Sequence, residues 1–278
     1  MIDNTKAKTK GSQQIMNALL VDGDLLHFDD VPGPDGAPVI VWGHGFLLSA
    51  AFYSDVVDSL PDFRHIVPDL RGHGRSASAN TDATLSRMAT DIWRICESLE
   101  VNEFHYIGHS MGNAVGIRLT AAHPDAVLSG TSIAGIPVSG KLEADRDLVT
   151  GIVDLAGDAE QLTGALAGLF VHEGPEGAIV LSCGQAASLV PRESMTVSQD
   201  FFLNDKDQIL PHLTQPWFFL VPGADLAEPP MYQVSQAELL PNARIRVLDG
   251  EGHMVPQERP GLVAEHIAKF LQGLRSGR

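Results

Sequence analysis

The sequence predicts an α/β protein: a mostly parallel, eight-stranded sheet with helices on both faces and a helical block inserted before the last two strands. Two observations carry this reading. Short apolar runs alternate with amphipathic, helix-like runs along most of the chain, and that alternation stops between about residues 136 and 213, where the pattern is helical throughout. The elements follow in order. Asn17–Asp22 and Leu25–Asp29 read as two short strands joined at Asp22-Gly23-Asp24, a hairpin signal. Pro38–Trp42 is a continuous apolar run, as expected of a strand covered on both faces, and it ends in Gly43-His44-Gly45-Phe46. Ala50–Leu60 reads as a short helix and His65-Ile66-Val67 as a strand running into Asp69-Leu70-Arg71-Gly72-His73-Gly74-Arg75-Ser76. Thr84–Leu99 carries Leu85, Met88, Ile92, Ile95 and Leu99 at helical spacing. Phe104–Ile107 is a strand, followed by the turn Gly108-His109-Ser110-Met111-Gly112 and a helix to His123; Ala126–Ala134 is a further strand. In the helical block, Leu148, Ile152, Val153, Leu162, Leu166, Leu169 and Phe170 read as the faces of two helices. Strands at Pro216–Val221 and Ala243–Leu248 resume the alternation, and Pro260–Leu274 closes the chain as an amphipathic helix. The domain reading is a loose tail over 1–14, an α/β core over 15–135 and 214–278, and a helical cap over 136–213.

With 278 residues, 44% of them apolar and 19% charged, the chain can bury a sizeable core. Its formal net charge of −16 argues against nucleic acid or an anionic membrane as a partner, and no run approaches the ~18 apolar residues of a membrane span. Residues 1–14 are polar and lack the apolar segment of a signal peptide. Two cysteines, Cys96 and Cys183, make no disulfide framework, so a cytoplasmic location is expected. His27, His65, His105, His123, His172, His212 and His266 share no ligand spacing, so no metal is expected, and no cofactor-binding loop is apparent.

Ser110 stands in the pattern G-x-S-x-G between a strand and a helix. Small residues on either side let the strand and helix backbones approach, and the turn lifts the hydroxyl out at the carboxyl edge of the sheet, where ligands of such sheets bind. A serine hydroxyl needs a base, the base needs a carboxylate to fix its tautomer, and the developing oxyanion needs donors. Asp225 and then His253 follow in chain order on loops after later strands, with Glu228 as a rival carboxylate. Asp249 reads as a turn residue.

His44-Gly45, Asp69 through Gly74, Gly108 through Gly112, Gly223-Ala224-Asp225 and Gly252-His253 together resemble the α/β-hydrolase fold superfamily, over roughly residues 15 to 275. The resemblance is to its serine-nucleophile, capped, esterase- and lactonase-like members. A serine at 110 separates the chain from the dehalogenase and epoxide-hydrolase branches, which attack with a carboxylate. It implies Ser110 as nucleophile, His253 as general base and then acid, Asp225 as orienting carboxylate, and the backbone N–H groups of Phe46 and Met111 as oxyanion hole. It also places His44, Gly45, Leu47, His109 and Met254 around the substrate, and makes the Asp69–Arg71–His73 loop structural. The chain departs from the usual pattern at three places. The acid turn is one residue short (Gly223-x-Asp225), Asn113 replaces a second glycine after the elbow, and Leu47 replaces a proline after the oxyanion residue.

The implied activity is hydrolysis of a small, largely apolar carboxylic ester or lactone through an acyl-enzyme on Ser110. The partner is a small-molecule substrate, and the oligomeric state is left open. The alternatives are cleavage of a carbon–carbon bond in ring-fission products, against which Met254 stands where such relatives carry tryptophan, acyl transfer to a nucleophile other than water, and a non-catalytic ligand receptor on the same fold.

Overall fold

A computed structural model describes residues 15–79, 82–136, 150–197 and 209–276. The strands are β1 (Ile15–Val21), β2 (Asp24–Val31), β3 (Val39–Gly43), β4 (Arg64–Pro68), β5 (Phe104–His109), β6 (Val127–Ile133), β7 (Trp217–Pro222) and β8 (Ala243–Leu248). They form one eight-stranded sheet in the order β1-β2-β4-β3-β5-β6-β7-β8. The hairpin β1–β2 is antiparallel and β2 meets β4 antiparallel; from β4 to β8 every neighbouring pair is parallel. Central strands β5 and β7 are buried at every position, as the unbroken apolar run of β7 requires; in β5 the buried His105 is paired with Ser129 Oγ at 2.8 Å. The last strand β8 lies at the edge, with Arg244 to Val247 exposed.

The helices of the core are α1 (Ser54–Asp58), α2 (Leu85–Ser98) and α3 (Met111–Ala122), followed late in the chain by α7 (Pro230–Glu238), α8 (Val255–Glu258) and α9 (Pro260–Ser276). One apolar cluster packs α2, α3 and the end of α7 on one face of the sheet, through Met88, Ile92, Ile95, Val115, Leu119 and Ala237. The other face carries α1 and α9, through Val56, Val57, Val263, Ile267 and Leu271. Thr84 caps α2, its hydroxyl accepting from the Arg87 N–H, which fixes the start one residue inside the expected segment. Between β6 and β7 the described residues hold α4 (Ala159–Ala167), α5 (Ala178–Ser188) and α6 (Arg192–Val197). Leu162, Leu166, Phe170, Val180 and Cys183 from this insertion join the second cluster, so the insertion and that face of the sheet share one core.

Two local expectations change, and one helix is added. Ala50–Leu60 is a 3₁₀ turn over Ala50–Tyr53 followed by the single-turn helix α1, because Asp69 Oδ1 takes the Ala50 N–H at 2.7 Å and pins the start of the segment. Residues 230–238 form α7, opened by Pro230 at its first turn, where a fixed φ and a missing N–H cost nothing. The insertion holds more than the two helices expected, since Gly174-Pro175 and Pro191 divide it. Leu148, the 1–14 tail, and Phe201, Phe202 and Leu203 of the expected cap lie outside the described residues.

The segment from Asp69 to Ser76 is a structural ion network. Arg71, 1% exposed, meets Asp91 through two bonds of 2.6 and 3.0 Å and also meets Asp24. Arg75 joins Asp69 at 2.5 Å to Asp29 at 2.7 and 3.1 Å. The network ties the hairpin, the β4 loop and α2 together beneath the site. Among the described residues, replacing Arg71 by alanine leaves the buried Asp91 only its 3.3 Å contact with Arg87, so we expect the variant to lose about 3 kcal/mol of stability in urea unfolding. A loss below about 1 kcal/mol would show the network to be dispensable.

Candidate active site

Ser110 sits at the junction of β5 and α3 with φ 52° and ψ −120°, a backbone region that side chains other than glycine rarely adopt. It is held there by three backbone bonds. Its N–H donates to Ile133 O at 3.0 Å, and its carbonyl accepts from Asn113 N at 3.0 Å and Ile136 N at 3.1 Å. Glycines make the approach possible. A Cβ on Gly108 would lie 2.5 Å from Gly112 O, and one on Gly112 would lie 2.0 Å from Gly43 O. Tyr106 locks the same junction by donating its hydroxyl to Gly112 O at 2.7 Å. Ser110 is 7% exposed. The N–H of Met111, first residue of α3, has no carbonyl one turn earlier in its own helix.

His253 lies on the loop between β8 and α8. Its Nδ1–H donates to both oxygens of Asp225, at 2.9 and 3.1 Å, and both residues are buried. This bond puts the ring hydrogen on Nδ1 and leaves the Nε2 lone pair as the basic position. Asp225 is held in turn. The N–H groups of Ala227 and Glu228 each donate to Asp225 Oδ1 at 2.9 Å, and the Ala224 N–H donates to Glu251 O at 2.9 Å, which joins the acid loop to the histidine loop. The carboxylate that meets His253 is therefore that of Asp225. Glu228, the rival, is buried three residues on and contributes its N–H to Asp225.

His109 links the elbow to this pair. Its Nε2–H donates to the carbonyl of His253 at 2.9 Å, and its ring stands 4.8 Å from the His253 ring. Its Nδ1 is buried without a partner among the described residues and faces Gly45, whose added Cβ would lie 2.8 Å from that nitrogen and 3.1 Å from Ser110 Cβ. Gly45 thus lies against the serine. His44 fixes the same loop: its Nδ1–H donates to Gly45 O at 2.8 Å and its Nε2 accepts the Leu70 N–H at 2.9 Å. Leu47 has φ 66° and a buried side chain. Phe46 stands edge-on to His73, 6.1 Å between ring centres. Met254 is 1% exposed and, like Leu47, packs into the second apolar cluster.

Four predicted positions therefore meet directly, with Gly45 against Ser110 and His109, and His109 bonded to His253; Asp225 extends the chain of contacts. Sequence reasoning missed Glu251 and Glu258, which tie the His253 loop to the insertion. Glu251 Oε2 meets His172 Nε2 at 2.9 Å, and Glu258 accepts backbone N–H groups of residues 171–173. The signal available was Glu251 two residues before the histidine and Glu258 five residues after it.

The comparisons with known proteins agree with this architecture. Residues 38–165 match the family model described as the alpha/beta hydrolase fold. The chain is 27% identical over 260 residues to the magnesium-chelatase 30 kDa subunit of Rhodobacter capsulatus, covering 87% of this chain and 89% of that protein. Among solved structures, a thermophilic esterase from Thermogutta terrifontis superposes with a TM-score of 0.80 at 23% identity, covering 94% of this chain and 98% of that one. The enol-lactonase of Burkholderia xenovorans LB400 gives 0.82 at 20% identity, covering 92% and 100%. The chain has the α/β-hydrolase fold, with an eight-stranded, mostly parallel sheet. Its sequence is similar to the alpha/beta hydrolase family over residues 38–165.

The buried histidines around the elbow are neutral. Burial, reinforced by the nearby His44, pushes the His73 imidazole down to about 3. Burial likewise lowers His44, and burial with the proximity of His253 pulls His109 well below the usual range. Each such group binds a proton more readily when unfolded, so stability is full above the ordinary histidine range and falls as pH drops through it toward the folded value. For His73 alone the cost between pH 7 and pH 5 is about 2 kcal/mol. Urea unfolding at a series of pH values should show His73→Gln reducing the slope of stability against pH near pH 5 by about 1.4 kcal/mol per unit. An unchanged slope would mean that His73 is charged in the folded protein.

Proposed function

We propose that this protein is a serine hydrolase that cleaves a small, largely apolar carboxylic ester or lactone. The observation that carries the reading is the His253–Asp225 pair, with its ring hydrogen on Nδ1, joined through His109 to a serine held at positive φ on a strand-to-helix turn. Ser110 Oγ attacks the substrate carbonyl while His253 Nε2 takes its proton. The oxyanion that forms is met by the N–H groups of Met111 and Phe46, since backbone donors fixed in direction stabilise such a charge without reorganising. Protonated His253, stabilised by Asp225, then gives its proton to the departing alkoxide. Water attacks the acyl-enzyme with His253 as base, and the carboxylate product leaves with Ser110 restored.

Around the reacting atoms, His44 holds the peptide of Gly45 and Phe46 in register, and His109 supports the His253 carbonyl. Leu47 and Met254 back the loops on which the oxyanion donor and the base stand. The helical insertion shares its apolar core with Leu47 and Met254, and a cap of that composition suits a substrate with little charge. The acyl-enzyme route also fits the esterase and lactonase among the structures that share the fold.

Short-chain nitrophenyl esters test the reading. Ser110→Ala should lower kcat by up to ~10⁶-fold, and Asp225→Asn by about 10⁴-fold because the histidine loses its tautomer. Glu228→Gln should stay within about tenfold of the parent, since that side chain is not the carboxylate facing His253. Hydrolysis by Ser110→Ala at the parent rate would overturn the assignment, and a larger loss from Glu228→Gln than from Asp225→Asn would move the acid to Glu228.

A further inference from the structure

We propose that Glu258 is a positioning residue for His253, holding the catalytic loop in place by clamping it to the helical insertion; the proposal rests on the serine-hydrolase reading above. The Glu258 carboxylate receives three successive backbone N–H groups of the turn between α4 and α5. Oε1 accepts from Val171 at 3.0 Å, His172 at 2.6 Å and Glu173 at 3.0 Å, and Oε2 also accepts from Val171 at 3.2 Å. Consecutive N–H groups converging on one anion form a concave anion site, and bonds to an ionised acceptor are the stronger kind. Here the anion is a side chain of the protein, placed five residues after His253.

The same turn also grips the loop ahead of the histidine. His172 Nε2 meets Glu251 Oε2 at 2.9 Å, and Arg259 joins Glu251 at 3.3 Å. Val171 lies so close to Gly252 that an added Cβ there would come within 2.5 Å of Val171 Cγ2. The Cys183 thiol of α5 donates to Gln257 Oε1 at 3.0 Å. Residues 251, 252, 257 and 258 are therefore all fastened to the insertion, and His253 lies between the two pairs.

The loop between them is short and internally bonded. Val255 N donates to Gly252 O at 3.2 Å, and Gln257 N and Glu258 N donate to Met254 O at 2.9 and 3.1 Å. A displacement of Glu258 is thus carried to the His253 peptide through a single helical turn. On the opposite side His109 bonds the His253 carbonyl. The histidine peptide is held from the core by His109 and from the insertion by the Glu258 clamp, while Asp225 sets only the ring. Without the clamp, the ring keeps its tautomer and loses its placement, and misplacement of a base by about 1 Å costs up to about 10²-fold in rate.

The test compares Glu258→Ala and Glu258→Gln in the full chain, with two readouts. The first is kinetics on nitrophenyl acetate and nitrophenyl butyrate, with the rate of Ser110 labelling by a fluorophosphonate. For Glu258→Ala, kcat should fall at least about tenfold on both esters while KM moves less than about twofold, and labelling should slow in proportion. Glu258→Gln, whose amide oxygen still accepts the N–H groups, should recover most of the rate. The second readout is backbone hydrogen exchange, which does not depend on activity. Glu258→Ala should speed exchange about tenfold over residues 250–256 as well as over 171–173. A lowered melting temperature with kcat per labelled site unchanged, or a loss confined to KM and growing with acyl length, would overturn the proposal. So would exchange that quickens at 171–173 alone. If the parent protein hydrolyses neither ester and is not labelled, the serine-hydrolase reading fails, and exchange over 250–256 alone decides whether Glu258 holds the loop.

Discussion

The rest of the molecule depends on one constraint: the peptide at Ser110 must stand at φ 52° while strand β5 and helix α3 pass within backbone contact of β3. A non-glycine residue in this region costs on the order of 1–3 kcal/mol, and it persists only if its surroundings overdetermine it. They do. The serine peptide is bonded on one side to β6 through Ile133 and on the other to Ile136, where the chain leaves the sheet toward the insertion. Tyr106 and the missing side chains of Gly108 and Gly112 close the remaining space. The parallel sheet supplies the rigidity, because β3, β5 and β6 are central strands flanked on both sides.

A second layer of order comes from histidines that never need to titrate. His44, His73 and His109 are buried, and burial holds each below its ordinary range. A neutral imidazole has one donor and one acceptor, so it can read out a fixed direction on each side. His44 uses both, donating to Gly45 O and accepting from Leu70, and so joins the oxyanion loop to the β4 loop. His109 donates to the His253 carbonyl and leaves its other nitrogen against Gly45. The cost is a site that tolerates neutral pH better than acid, since each ring would be protonated on unfolding.

Much of this was legible in the sequence, and for physical reasons. Apolar runs at β3 and β7 are unbroken because both faces of those strands are covered, and this is the property that a pattern of residues records. Ser110, Asp225 and His253 could be found because strand ends bring their loops to one edge whatever the intervening chain does. What remained hidden was whatever depends on contacts between distant segments. Nothing local to Ala50–Leu60 says that Asp69 will seize the Ala50 N–H and tighten the first turn. Nothing local to Glu258 says that its partners are backbone groups about 85 residues earlier in the chain, because an N–H group has no residue type to read. The sequence favoured Asp225 and kept Glu228 as a rival for the same reason: three residues apart on one loop, they differ only in which one faces β8's loop.

The short acid turn shows how the fold absorbs a missing residue. With only Ala224 between Gly223 and Asp225, the loop has less length with which to aim a carboxylate. The structure gains the needed restraint from hydrogen bonds. Gly223 N donates to Leu248 O at 2.8 Å and Ala224 N to Glu251 O at 2.9 Å, so both residues before the acid are bound to the chain that carries the histidine. After it, Asp225 Oδ1 turns back to accept the N–H groups of Ala227 and Glu228, the local bonding that lets an aspartate stand in for a length of turn. Gln233 reaches from α7 to Glu228 O at 2.6 Å and holds the far end of that turn. The carboxylate is thus oriented by its own loop before it meets His253, and a glutamate at 225, one methylene longer, would lose the turn-closing geometry even though it kept the charge.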